Sequence, residues 1–172
     1  SLLFIFCAVF ALPACKRTEE GLKNDWKFAK ERWDKHKKNY PALGALLDKQ
    51  LKDAEAIMAE ADKLSNFEEK TKKVGEAVAA INTGFIAELN TVEYNKDEIK
   101  KKTEKIKKQK FGKANLKKAE NALIDGDNAV AEAERILKNS VATNDEASAA
   151  AKEANKVLSN AKKGLDAVAK LK

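Results

Sequence analysis

From residue 22 onward, apolar side chains recur every third or fourth position. That period is the signature of amphipathic helix, because residues three and four apart share a helical face. Trp26, Ala29, Trp33, His36 and Tyr40 fall on one stripe. Leu43, Leu47, Leu51, Ala54, Met58, Ala61 and Leu64 make a second, and Phe67, Thr71, Val74, Val78, Ile81, Phe85 and Leu89 a third. A weaker seam of Ile99, Thr103 and Ile106 precedes Gly112. Leu116, Ala119, Leu123, Gly126, Val130, Ala133 and Leu137 then read as a heptad, and Ala147, Ala151, Ala154, Leu158, Ala161, Leu165 and Val168 close the series. No stretch alternates with the period of two that a strand requires.

Local signals divide the stripes. Pro41 ends or kinks the first helix, since it lacks an N–H and crowds the turn before it, and it also suits the first turn of the next. Ser65 with Glu68, and Thr143 with Glu146, have capping-box spacing. The polar run 90–95 is expected to end the third helix, with Asn95 and Glu98 capping a fresh one. From residue 16 on there are 36 large apolar residues and 26 alanines. That fills one thin core of closely approaching helices, and alanine-rich seams limit the gain from burial at about 25 cal/mol per Å². The expected fold is all-α: an antiparallel helical bundle over 22–172 with Ala-rich, coiled-coil-like seams, its elongation left open.

The start of the chain is built differently. Residues 1–12 are almost wholly apolar and uncharged, whereas all 34 basic and 27 acidic side chains lie beyond Cys15. Twelve helical residues span about 18 Å, short of a hydrocarbon core of about 30 Å. The step in composition reads as a cleaved export signal over 1–14, extending upstream of Ser1. Leu12-Pro13-Ala14-Cys15 resembles the lipobox of bacterial lipoproteins. The resemblance implies lipidation of Cys15, residues 15–21 as a lipidated tether, and a cell-envelope location, with the outer membrane favoured because Lys16, not Asp, follows the anchor. After cleavage Cys15 would be the one cysteine left, so no disulfide framework is expected.

Catalytic and metal chemistry find no footing. His36 is the single histidine and occupies a seam position, and Asp34 lies on another face. Zinc needs three or four His, Cys or carboxylate ligands in register, and no such set is legible. No Gly-x-Ser-x-Gly turn or phosphate-cradling glycine pattern occurs. The expectation is a protein that is not an enzyme and holds neither cofactor nor metal.

Two surface features remain. Trp26, Phe28 and Trp33 form the densest aromatic cluster after Cys15, read first as core anchors of the first helix and second as a contact patch. Between Lys96 and Lys118 stand eleven lysines against Asp97, Glu98 and Glu104. The rest of the chain is nearly balanced, so the net charge of +7 arises in this stretch. Lys100, Lys101, Lys102, Lys105, Lys107, Lys108 and Lys110 are the candidate face for an anionic partner: lipid, glycan or acidic protein. Nucleic acid is disfavoured, with only Phe111 at hand for stacking. The alternatives are a structural envelope lipoprotein tying membrane to cell wall through Lys172, and an accessory unit of an enzyme or transporter. Homo-oligomerisation through the alanine seams stays open.

Overall fold

The computed structural model describes residues 18–139 and 141–171; Cys15, its lipobox and Lys172 lie outside them. Six α-helices carry the described chain: α1 (Glu19–Asn39), α2 (Gly44–Ala61), α3 (Phe67–Asn82), α4 (Phe85–Lys107), α5 (Lys113–Leu137) and α6 (Asn144–Ala169). The expected all-α bundle is what forms. Thr18 caps α1 by accepting the Gly21 N–H at 3.1 Å, and Glu19 and Glu20 complement the helix dipole. Pro41 ends α1 through a short 3₁₀ turn, Pro41–Leu43, that leads into α2. At the start of α6 the Thr143–Glu146 capping box forms in full, each side chain bonding the other's backbone.

Two boundaries differ from those expected. Asn66, not Ser65, caps α3, its side-chain Oδ1 accepting from the N–H groups of Glu68 and Glu69. The polar run 90–95 breaks nothing; it lies inside α4. The chain breaks earlier, at Thr83-Gly84, where Gly84 holds φ +62°, a conformation open mainly to glycine. Helix survives through 90–95 because Leu89, Val92, Asn95 and Ile99 keep one buried stripe going. Asn95 is tolerated there because its Nδ2 donates to Asn155 Oδ1 at 3.2 Å, and Asn155 in turn donates to the Glu88 carbonyl at 3.0 Å.

The seam of α5 is also rotated from the expected heptad. Its buried side is Ala119, Ala122, Gly126, Ala129, Ala133 and Ile136 with Leu137, while Leu116 is exposed and Leu123 and Val130 are half-buried. Close approach to α4 and α6 explains the rotation. A Cβ on Gly126 would stand 3.4 Å from Leu165 Cδ1 and 3.6 Å from Ile99 Cγ2, so only the small-residue side of α5 fits.

The helices form two up-down-up triplets, α1–α2–α3 and α4–α5–α6, which share one continuous core. Consecutive helices within each triplet run antiparallel, as Lys37–Asp48 and Lys30–Glu55 show for α1 and α2. The first and third helices of each triplet run parallel. Lys102–Asp166 and the bond from Gln109 to the Leu171 carbonyl keep α4 and α6 in ascending register. The triplets are offset lengthwise, and α1 reports it. Leu22 of α1 packs in a cluster with Val74 of α3, whereas His36 and Tyr40 at its other end meet Asn90 and Glu93 of α4. Fourteen residues of α1 thus match sixteen along α3 and α4. The two helices therefore continue in nearly one direction across Gly84. At 1.5 Å per residue the combined run is about 60 Å long.

Candidate functional site

The lengthwise offset gathers one kind of charge at one end. The C-terminal ends of α4 and α6 and the N-terminal end of α5 meet at the pole farthest from Thr18, about 55 Å along the axis. Residues 100–120 and 160–171 carry thirteen lysines there against Glu104, Glu120 and Asp166. The remaining chain holds twenty-one basic and twenty-four acidic side chains.

The lysines singled out from sequence do not share one face. Ile99, Thr103 and Ile106 turn inward, so Lys100, Lys101, Lys105, Lys107 and Lys108 are left exposed on several sides of α4, and Lys110 is exposed in the connection that follows. Lys101 pairs with Glu98 at 3.2 Å on its own helix. Lys102 is the exception: half-buried, it is bound to Asp166 of α6 and serves as an interhelix clasp. The hydrogen bond from Lys102 holds the Asp166 carboxyl below its ordinary pKa; burial opposes it, and the charges of Lys102, Lys162 and Lys170 assist. None of Lys100, Lys105, Lys107, Lys108 or Lys110 forms an ion pair among the described residues.

Lys162, Lys163 and Lys170 of α6 join the pole although they lie some fifty residues away in sequence. The parallel pairing of α4 with α6 brings them there, and no local spacing announces it. Lys113, Lys117 and Lys118, exposed at the start of α5, complete the ring. Leu116, 49% exposed, projects among them. Phe111 is half-buried against the core beside it.

The aromatic cluster divides. Trp33 is 5% exposed and its indole N–H donates to the Leu47 carbonyl at 2.8 Å, so it anchors α1 on α2. Trp26 is half-buried against the same core, and only Phe28, at 57%, faces outward. The three side chains do not form one contact patch.

A second polar group, not visible in the sequence, lies where the triplets join. Glu93 accepts from the Tyr40 hydroxyl, from Lys35 at 3.0 Å and from Asn39 at 3.3 Å. Lys96 reaches Glu134 of α5 at 2.7 Å. Burial pushes the Glu93 carboxyl up, but the bonds from Tyr40 and Lys35 and the charge of Lys96 outweigh it and hold the group below its usual pKa. Burial, with Glu93 adding to it, drives the Tyr40 phenol far above its ordinary value. Buried His36 sits beneath, its Nε2 2.8 Å from Asn90 Oδ1 and its Nδ1 without a partner; burial lowers its pKa despite that bond. A cleft of about 190 Å³ lined by Asn39, Tyr40, Lys96, Glu134 and Lys138 opens over this group. A shallower groove of about 420 Å³ runs between α5 and α6.

Among the described residues no group of three or more His, Cys, Asp or Glu is placed to hold a metal ion, and no helix is long and apolar enough to cross a membrane. Comparison with protein families, with curated proteins and with solved structures returns no match to this chain.

Proposed function

We propose that this chain is a lipid-anchored, non-enzymatic binding module of the bacterial cell envelope, outer membrane favoured, whose lysine-rich pole engages an anionic partner. The observation that carries it is the concentration of thirteen lysines at the end of the bundle opposite Thr18. A body tethered through Cys15 would present that pole away from its own anchor. Lysine suits the task, since its compact ammonium on a flexible stem gathers anionic charge without a fixed geometry.

Two measurements test the two halves. Labelled palmitate should enter the protein and be lost in Cys15→Ser; equal labelling of both forms rejects the anchor. Replacing Lys105, Lys107, Lys108 and Lys110 by Gln should weaken retention on an anionic matrix at least about tenfold, at about 1 kcal/mol per surface lysine. Unchanged retention rejects the basic pole.

A second reading, a structural spacer between membrane and cell wall, draws on one specific observation: residues 18 and 171 lie at opposite ends of the bundle. Sacculi boiled in detergent should then keep the protein bound, and complete release dismisses this reading.

A further inference from the structure

Three features of the basic pole bear on what its anionic partner is. It is formed where three helix ends and one connection converge, and the groove between α5 and α6 reaches it only at Asn160, Ala161 and Gly164. Its cations are all lysine, whereas Arg32 and Arg135 lie elsewhere on the bundle. Arginine's planar fork is the group that recognises individual phosphates or sulfates bidentately; lysine gives a diffuse field that adapts to any array of negative charge. Finally, the exposed Leu116 stands between Lys113 and Lys117, with Phe111 half-buried close by. An exposed leucine in the first turn of α5, flanked by exposed lysines, is poorly matched to a hydrated glycan or an acidic peptide. It fits a bilayer, where lysines meet headgroup phosphates and an apolar side chain enters the acyl boundary.

We propose that the basic pole docks end-on against an anionic lipid bilayer, and that this bilayer is a different one from the membrane that holds the tether. The geometry supports the second clause. When the pole faces a surface squarely, Thr18 stands about 55 Å back from it along the axis, well beyond the thickness of the headgroup region. One chain then links two lipid surfaces. This inference rests on the anionic-partner reading above and narrows it to one class.

Vesicle clustering tests it. Neutral phosphatidylcholine vesicles loaded with the full chain are mixed with a second population, either neutral or containing phosphatidylglycerol. Clustering is expected only with the anionic population, falling steeply with added salt as the headgroup attraction is screened. The variant with Lys105, Lys107, Lys108 and Lys110 changed to Gln should lose it at least about tenfold. Leu116→Ser should lower it a few-fold yet leave retention on a polyanionic column unchanged. Circular dichroism confirms that each variant is folded.

Wild-type protein that ignores anionic vesicles but binds a polyanionic glycan or acidic protein through the same lysines overturns the bilayer proposal and leaves the basic-pole reading standing. Binding to neither overturns both. Clustering unaffected by the lysine changes also overturns the proposal. A chain that fails to load onto neutral vesicles removes the two-membrane clause, and flotation of the free chain with anionic vesicles then reads the pole alone.

Discussion

His36 shows how one buried side chain ties stability to acidity. Its Nε2 faces an oxygen of Asn90, so that nitrogen carries the proton and the unpartnered Nδ1 is the basic one. Burial opposes charging the ring most, and charging would create a buried N–H with no acceptor; Lys35 and Arg32 also oppose the charge, while the Asn90 bond and Glu93 favour it without outweighing burial. A folded-state pKa below 6.5 means that the unfolded chain takes up the proton more readily. Stability from this source is complete above pH 6.5 and declines as pH falls below it. Glu93, also depressed, adds a loss in the same direction that begins below about pH 4.5. Denaturant midpoints should therefore drop on going to about pH 5, and His36→Gln should flatten that drop while costing about 1 kcal/mol at neutral pH. A wild-type profile that is level from pH 6.5 down to about 5 would contradict this account. The seam position of His36 was legible from spacing alone. Its partner Asn90 was not, since it is 54 residues distant and sits in a run that read as a loop.

At the level of the helices, sequence periodicity marked a buried stripe in each helix but ran one stripe across the break at Gly84, placed that break too late and misjudged the rotation of α5. Both errors have the same origin: local polarity was weighed without the tertiary partner that accommodates it. Asn95 looked like a cap until Asn155 supplied its bond across α4 and α6. The true break carries its own signal in Asn82-Thr83-Gly84, a polar pair followed by glycine, and Gly84 adopts the positive φ that such a sequence allows. Gly84→Ala is expected to cost about 1–3 kcal/mol, read as a lowered thermal midpoint, because alanine is strained in that conformation whatever the space around it. The contrast at Gly126 is sharper. Gly126→Ala gains up to about 1 kcal/mol in helix propensity against a snug contact with the flexible Leu165 methyl, and should be within about 1 kcal/mol of neutral. Gly126→Leu should lose about 1–3 kcal/mol or more by forcing α5 off α4 and α6. Equal tolerance of both residues would mean that the three helices do not meet closely there. For α5, large residues at heptad spacing suggested the buried face; proximity chose the alanines instead.

The whole molecule is longer than its residue count implies. A compact body of this size has a radius of gyration near 15 Å, whereas a rod about 60 Å long with three-helix girth gives about 20 Å. X-ray scattering from the folded body should return the larger value, and the smaller would mean that the triplets fold against each other side by side. Elongation was not readable from the stripes, because each stripe says that a face is covered and not by which helix. The basic stretch was legible as a run in α4, yet its extension onto Lys162, Lys163 and Lys170 depended on α6 running parallel to α4.

The splinting of Gly84 by α1 has a mechanical consequence. Residues 18 and 171 leave from opposite ends, so a load applied between them acts along the helix axes. It must slide α1 past α3 and α4, and α6 past α4, breaking the His36–Asn90, Tyr40–Glu93, Asn95–Asn155 and Lys102–Asp166 contacts as a group. Loading of that kind is shear, which shares the force among many contacts, whereas a chain tethered and pulled from the same end would peel them one by one.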